Sequence, residues 1–134
     1  MSDKPKKPGA LSALATPTRF MGWSAKLLPW LTVLAVVFTV VGLYWGWQAP
    51  EDYQQGITVR IMYIHVPAAW FAMFSYSVMA ASALGVLIWR HALADVSIRA
   101  AAPIGAAFTL LCLVTGSLWG RPMWGTYWVW DARL

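Results

Sequence analysis

The sequence predicts an all-α polytopic membrane protein with three transmembrane helices and a tryptophan-rich interfacial segment after the third. Of its 134 residues, 60% are hydrophobic and 11% are charged, whereas soluble proteins average about 45–50% apolar and about 25% charged residues. The apolar residues form three long runs separated by short polar stretches. Each run is long enough to cross a hydrocarbon layer of roughly 30 Å as a helix.

The three spans are predicted at about 27–47, 67–89 and 100–119. The second apolar run begins earlier, at Ile61, and exceeds what a bilayer needs by about two turns. Proline suits the first turn of a helix and pushes the preceding residue out of the α region. Pro67 therefore predicts the start of the second span.

Residues 1–26 are predicted to form a basic cytoplasmic tail, because their prolines and lysines disfavour continuous structure. The tail carries five Lys and Arg residues and the loop 90–99 carries two, whereas the loop 48–60 carries one. Basic residues accumulate on the cytoplasmic side of short loops. We therefore expect the tail and the loop 90–99 to face the cytoplasm.

This orientation places His65 and the segment 120–134 together on the outer side of the membrane, with His91 on the cytoplasmic side. It also accounts for the net charge of +5, which in a soluble chain would suggest nucleic acid. The basic residues flank apolar runs, where they set orientation. Nucleic acid is therefore not an expected partner.

His65 lies in an apolar neighbourhood at the outer end of the second span. An ionisable group at membrane depth is costly and is a candidate functional residue. Neutral imidazole binds haem iron and other metals; the alternative is an interfacial histidine that is hydrogen-bonded to backbone or water. The single cysteine, Cys112, lies within an apolar run, so a disulfide framework or a zinc site is not expected.

The segment 120–134 holds three of the ten tryptophans within seven positions. On a helix, four of its side chains would share one face: Trp124, Tyr127, Trp128 and Asp131. On a strand, Trp128 and Trp130 would share a face instead. Either arrangement makes an aromatic platform for a flat ligand, and the alternative is an aromatic belt in contact with lipid headgroups.

Gly120 and Pro122 are predicted to break the chain between the third span and this platform, so that it lies along the membrane surface. Three arginines lie on the same side: Arg60, Arg121 and Arg133. Each could pair with a carboxylate of the ligand or extend its charged head from the interface into water.

Two stretches resemble a known family. The sequence WGTYWVWD at 124–131 fits the pattern W-G-x-x-W-x-W-D and resembles the signature of the haem-handling membrane proteins of cytochrome c biogenesis. The sequence MYIHVPAAW at 62–70 is similar to the segment with the first external histidine in the haem exporter protein C branch. The short loops favour this branch over the larger synthases.

The resemblance implies a bacterial inner-membrane protein that binds haem b non-covalently at the periplasmic face and delivers it to a periplasmic haem chaperone. It also implies ABC transporter subunits and a small membrane subunit as partners. His65 would be an axial ligand of the haem iron. The other haem-binding positions carried over by the pattern are Trp124, Gly125, Trp128, Trp130 and Asp131.

Members of this branch have six spans and a second external histidine in a later loop. The chain is therefore expected to correspond to the N-terminal half of such a protein. Two hypotheses from other classes remain: a structural membrane subunit whose tryptophans are only anchors, and an enzyme of haem attachment. The last is disfavoured because the outer side offers no nucleophile or acid–base pair beyond His65 and Asp131. We therefore expect no enzymatic activity.

Overall fold

A computed structural model describes residues 16–130 and confirms the all-α fold. The elements are three helices: α1 (Pro17–Gln48), α2 (Val59–Trp89) and α3 (Ala92–Trp124). All three are long and apolar enough to cross a membrane. The chain is therefore a multi-pass membrane protein.

The helices extend beyond the predicted spans at several ends. Helix α1 begins at Pro17, ahead of residue 27, and α3 continues to Trp124, past residue 119. The interfacial position of the tryptophan-rich segment, and the membrane boundaries along each helix, stay predictions.

Helix α2 begins at Val59, two turns before Pro67, which lies inside it. The premise that Pro67 lies in the first turn of a helix was therefore wrong, whereas the start of the membrane span near Pro67 stays a prediction. A proline inside a helix removes one backbone hydrogen bond and disfavours the helix by about 3 kcal/mol. Here the next residue, Ala68, is 2% exposed, and packing of the surrounding turns outweighs the local preference.

The chain forms two compact units, one ending at Thr39 and one beginning at Val40. The described part of the first unit is a single helical segment, and no residue of α1 is buried. Its exposed apolar side chains are those that lipid solvates, because a helix that is hydrophobic all round is suited to a membrane.

In the second unit, α2 and α3 pack against each other after a tight turn in which Arg90 adopts a left-handed conformation (φ 49°). The rings of Phe71 and Phe108 stack with centroids 4.9 Å apart. A Cβ at Gly105 would lie 3.1 Å from the Cβ of Ser75, so the two helices approach closely there. This pair of helices carries the candidate site.

The loop between α1 and α2 is held by its own hydrogen bonds. One oxygen of the Asp52 carboxylate accepts from the backbone N–H groups of Gln54 and Gln55, each at 2.9 Å. Asp52 and Gly56 also exchange two backbone hydrogen bonds, and Gly56 has a positive φ of 57°. The loop is therefore a compact turn.

Helix α3 ends at Gly125, which has a φ of 77° and donates its N–H to the Arg121 carbonyl at 2.8 Å. The predicted break at Gly120 and Pro122 was wrong, since both lie within α3. A proline in the last turn removes one hydrogen bond without redirecting the chain, whereas a left-handed glycine reverses its direction.

Candidate functional site

A cavity of about 440 Å³ lies where the first turns of α2 meet the last turns of α3 and the segment that follows. Its volume is within the range of about 300–1,000 Å³ that is common for small-molecule sites. Its lining residues are His65, Cys112, Leu113, Gly116, Ser117, Gly120, Trp124, Thr126, Tyr127, Trp128 and Val129. Most of this lining is apolar or aromatic, as expected for a site that receives a flat, largely apolar molecule.

His65 lines this cavity, and its imidazole is oriented by α3. Its Nδ1 lies 3.0 Å from the carbonyl oxygen of Cys112 and 3.0 Å from Oγ1 of Thr115. Because a carbonyl oxygen can only accept, Nδ1 carries the proton and donates. The Thr115 hydroxyl is free to accept it, since its own proton is donated to the Leu111 carbonyl at 2.7 Å.

In a neutral His65 imidazole with its proton on Nδ1, the second ring nitrogen, Nε2, carries the lone pair. It makes no hydrogen bond with any residue in the described range 16–130. An imidazole whose Nδ1–H is fixed by a backbone carbonyl and whose Nε2 carries the lone pair has the arrangement typical of metal-ligating histidines. The site can therefore supply one nitrogen ligand.

Gly116 makes room for this imidazole. A Cβ at position 116 would lie 3.0 Å from Cε1 of His65 and 3.5 Å from Nδ1. That separation is shorter than ordinary carbon–carbon contact distances of about 3.5–4.0 Å. A side chain at this position would push the ring away from the Cys112 carbonyl.

Two tryptophans form the aromatic wall of the cavity. Trp124 is the last residue of α3, and its ring meets that of Trp119 edge to face with centroids 5.0 Å apart. Trp128 follows in the non-helical segment and is 36% exposed. Its ring meets that of Trp130 edge to face at 5.4 Å. The wall is therefore built from both regular and irregular backbone.

Three of the residues proposed from sequence thus line one cavity: His65, Trp124 and Trp128. Trp130 is 87% exposed and lies at the edge of Trp128, while Gly125 ends α3. Asp131 lies outside the described residues.

Of the two alternatives for the segment from Trp124 to Asp131, the single helical face does not hold for the described residues. Tyr127 and Trp128 lie beyond the end of α3 in irregular backbone. The positive φ of Gly125 interrupts the helical period, because only glycine adopts this conformation without strain. The contact between Trp128 and Trp130 resembles the strand alternative, although the segment is not a strand.

Two of the three arginines considered as carboxylate partners contact residues of the chain itself. Arg60 donates twice to the Ala49 carbonyl, at 3.2 and 3.1 Å. Arg121 donates to the Tyr127 hydroxyl and lies over that ring, 4.6 Å from its centroid. Arg133 lies outside the described residues. These contacts give Arg60 and Arg121 a role in holding the loops beside the cavity.

Several lining or orienting groups were not singled out from the sequence. The Cys112 carbonyl is a backbone group and has no sequence signal. Thr115 and Gly116 are ordinary residues of a membrane helix. Gly116 and Gly120 are four positions apart on one helical face, and small residues at this spacing mark a face that can approach a neighbour closely. That spacing was the available signal.

Among the described residues, His65 is the histidine that lines the cavity, and Cys112 lines it as well. Within residues 16–130, no group of three or more His, Cys, Asp or Glu side chains could hold a metal ion. A lone histidine suits a metal that brings its other ligands with it, as haem iron does. The fold and the cavity therefore define a multi-pass membrane protein in which a histidine oriented for metal ligation lies beside an aromatic wall.

The chain belongs to the heme exporter protein C family, whose model matches residues 10–134. It is 64% identical over 121 residues to "Heme exporter protein C" of Bradyrhizobium diazoefficiens, covering 90% of this chain and 46% of that protein. It is 51% identical over 125 residues to the Escherichia coli K12 protein of the same name, covering 92% and 51%.

The protein of that name from Paracoccus denitrificans is 49% identical over 120 residues, covering 90% of this chain and 50% of the relative. The chain therefore spans about half the length of the curated relatives that it matches.

Proposed function

We propose that this chain binds haem b non-covalently in the cavity beside His65 and delivers it to a periplasmic haem chaperone during cytochrome c-type biogenesis. The observation that carries the proposal is the state of His65, whose Nδ1–H is committed to the Cys112 carbonyl and whose Nε2 lone pair has no partner among the described residues. The relatives' name, heme exporter protein C, supports haem as the molecule that is bound.

In this proposal His65 is an axial ligand and the aromatic wall receives the macrocycle. Trp124 and Trp128 line the cavity, and each buried aromatic ring contributes about 150–250 Å² of contact surface. Gly125 redirects the chain so that the rings of Trp124 and Trp128 can both line the cavity. Trp130 and Asp131 extend the same segment.

The chain holds and presents the cargo without bond-making chemistry of its own. When haem is bound, its iron would accept a neutral imidazole as a ligand. His65 contributes the nitrogen, α3 fixes its tautomer, and the mostly apolar lining contacts the macrocycle. Partners under this proposal are the periplasmic chaperone, ABC transporter subunits and a small membrane subunit of the maturation system.

We further propose that the protein lies in the bacterial inner membrane with its N-terminus in the cytoplasm. His65 lies near the start of α2 and His91 just beyond its end, and about 24 helical residues at 1.5 Å each separate them by roughly 36 Å. The two histidines are therefore at opposite ends of the helix pair. The count of basic residues favours the His65 end as periplasmic.

The test is reconstitution of the membrane protein with ferric haem b, with His65→Gly and His91→Gly as matched variants. We expect wild type and His91→Gly to give the same Soret band, and His65→Gly to give a shifted band and weaker binding. Added imidazole should restore the band in His65→Gly, because it can occupy the vacated ligand position. A spectrum that is unchanged in His65→Gly would contradict the assignment.

A purely structural subunit is the competing class. Conservative replacement of Trp124, Trp128 and Trp130 by Phe separates the two, because an interfacial anchor tolerates another aromatic ring. Haem affinity should fall in the triple variant while membrane insertion and helix content are retained. Equal haem affinity in the triple variant and wild type would favour the structural subunit.

A further inference from the structure

One hydrogen bond joins the loop between α1 and α2 to the end of α3. The indole N–H of Trp119 donates to Oε1 of Gln55 at 2.9 Å, across 64 positions in sequence. Both side chains are half-buried. An indole N–H in apolar surroundings needs an acceptor, and leaving it without one is costly. Gln55 is therefore the group that fixes the direction of the Trp119 ring.

The backbone of Gln55 is itself fixed by hydrogen bonds at its N–H and at its carbonyl. Its backbone N–H donates to the Asp52 carboxylate at 2.9 Å, and its carbonyl accepts from the Thr58 hydroxyl at 2.6 Å. The flanking backbone bonds between Asp52 and Gly56 close the turn. The carboxamide of Gln55 is thus attached to an ordered loop, so its acceptor oxygen has a defined position.

Trp119 in turn lies against the wall of the cavity. Its ring meets that of Trp124 nearly at right angles, with an interplanar angle of 87° and centroids 5.0 Å apart. The Trp124 ring also lies beside Gly120, where a Cβ would be 3.4 Å from it. Trp119 itself is not among the residues that line the cavity. Its ring therefore acts on the cavity through Trp124.

We propose that Gln55 is a positioning residue for the cavity: its hydrogen bond to Trp119 holds the Trp124 wall in the orientation that receives the ligand. The loop between α1 and α2 and the tryptophan-rich segment then act as one ligand-binding unit. The identity of the ligand rests on the proposed function, whereas the coupling of Gln55 to Trp124 does not.

The neighbouring residue gives a matched control. Gln54 is exposed and its backbone N–H, not its side chain, bonds to Asp52. Gln54→Leu replaces the same type of side chain in the same loop but leaves the hydrogen bond to Trp119 in place. Gln55→Leu removes the acceptor, and Gln55→Glu keeps an acceptor oxygen at the same distance from the backbone.

The first measurement needs no haem. In ¹⁵N-indole-labelled protein in nanodiscs, the Trp119 Nε1–H signal should shift upfield and exchange faster in Gln55→Leu. The Trp124 signal should move with it. Gln54→Leu should leave both signals in place, and Gln55→Glu should restore most of the protection. A Trp124 signal that stays fixed when the Trp119 signal moves would overturn the proposal.

The second measurement is titration with ferric haem b. Loss of one hydrogen bond corresponds to about a 3- to 10-fold loss of affinity, which we expect for Gln55→Leu and not for Gln54→Leu. Trp119→Phe, which keeps an aromatic ring but lacks the indole N–H, should weaken binding similarly. Because the two residues share one bond, the double variant should be no weaker than either single variant. Additive losses would contradict the coupling.

These results separate the two proposals. If wild type does not bind haem but the Trp124 signal follows Gln55, the proposed function fails and the positioning role stands. If wild type binds haem and Gln55→Leu binds it equally well, the positioning role fails and the proposed function stands.

Discussion

Gly116 and His65 are packed so closely that a single methyl group at position 116 would lie 3.0 Å from Cε1 of the imidazole. The same ring donates its Nδ1–H to the Cys112 carbonyl, one turn earlier on α3. The position of the proposed axial ligand therefore depends on the absence of a side chain on the facing helix. This relationship gives the first prediction.

Gly116→Ala should displace the His65 ring and weaken haem binding by at least about tenfold, equivalent to about 1.4 kcal/mol. The shift separates Nδ1 from its acceptor, the Cys112 carbonyl. Soret titration and resonance Raman of the iron–histidine stretch would measure it. Gly42→Ala is the matched control, since no atom lies within 4 Å of its Cβ, and a helical Gly→Ala change there should leave haem binding unaltered.

The Thr115 hydroxyl should contribute to the orientation of His65. Thr115→Val keeps the shape but removes the acceptor that lies 3.0 Å from Nδ1. Groups that orient a metal-bound histidine contribute about 10- to 100-fold to affinity, and we expect the lower end because the Cys112 carbonyl still accepts. Thr115→Ser should recover most of the loss. Equal behaviour of the Val and Ser variants would show that packing, not hydrogen bonding, is what matters.

The two tryptophans after Gly125 should differ in importance. Trp128 lines the cavity and is 36% exposed, whereas Trp130 is 87% exposed and its ring meets that of Trp128 edge to face. Trp128→Ala should therefore reduce haem affinity more than Trp130→Ala, by roughly tenfold, because it removes the larger apolar contact. Parallel haem titrations of the two variants measure the ratio. The reverse order would require a ligand position on the outer face of the segment.

Gly125 should be required for its backbone conformation. Its φ of 77° is disfavoured by roughly 1–2 kcal/mol for residues with a Cβ. Gly125→Ala should lower the free energy of unfolding by about that amount and disturb the cavity wall, while Gly125→Asn should be milder because Asn tolerates this region. Thermal unfolding in detergent compares the two variants. Gly22→Ala, at an open helical position, should not destabilise the protein.

The fold could be predicted from the sequence because three apolar runs leave few alternatives to membrane helices. The helix ends could not, and Pro67 shows why. A proline reports a local preference, while the start of α2 at Val59 is decided by packing over several turns. Gly125 was the correct stop of α3, but from sequence alone Gly120 and Pro122 were equally plausible stops, since all three residues disfavour a continuing helix.

The candidate site was predictable in its side chains and not in their arrangement. The side chains of His65, Trp124 and Trp128 can be proposed from residue type and spacing alone, and they line one cavity. The groups that orient them include a backbone carbonyl at Cys112 and a glutamine in a loop, Gln55. Such groups become recognisable only in the folded chain, because the bonded residues are far apart in sequence. His65 and Cys112 are 47 positions apart, and Gln55 and Trp119 are 64 positions apart.

The imidazole of His65 is attached to α2 but hydrogen-bonded to α3. The orientation of the imidazole therefore depends on the register between α2 and α3. A slide of α2 along α3 by a fraction of an ångström would stretch the bond to Cys112 before it disturbed the apolar contacts, because hydrogen bonds weaken steeply with distance and angle. Under the proposed function, such a displacement of one helix against the other would loosen the hold of His65 on the haem iron.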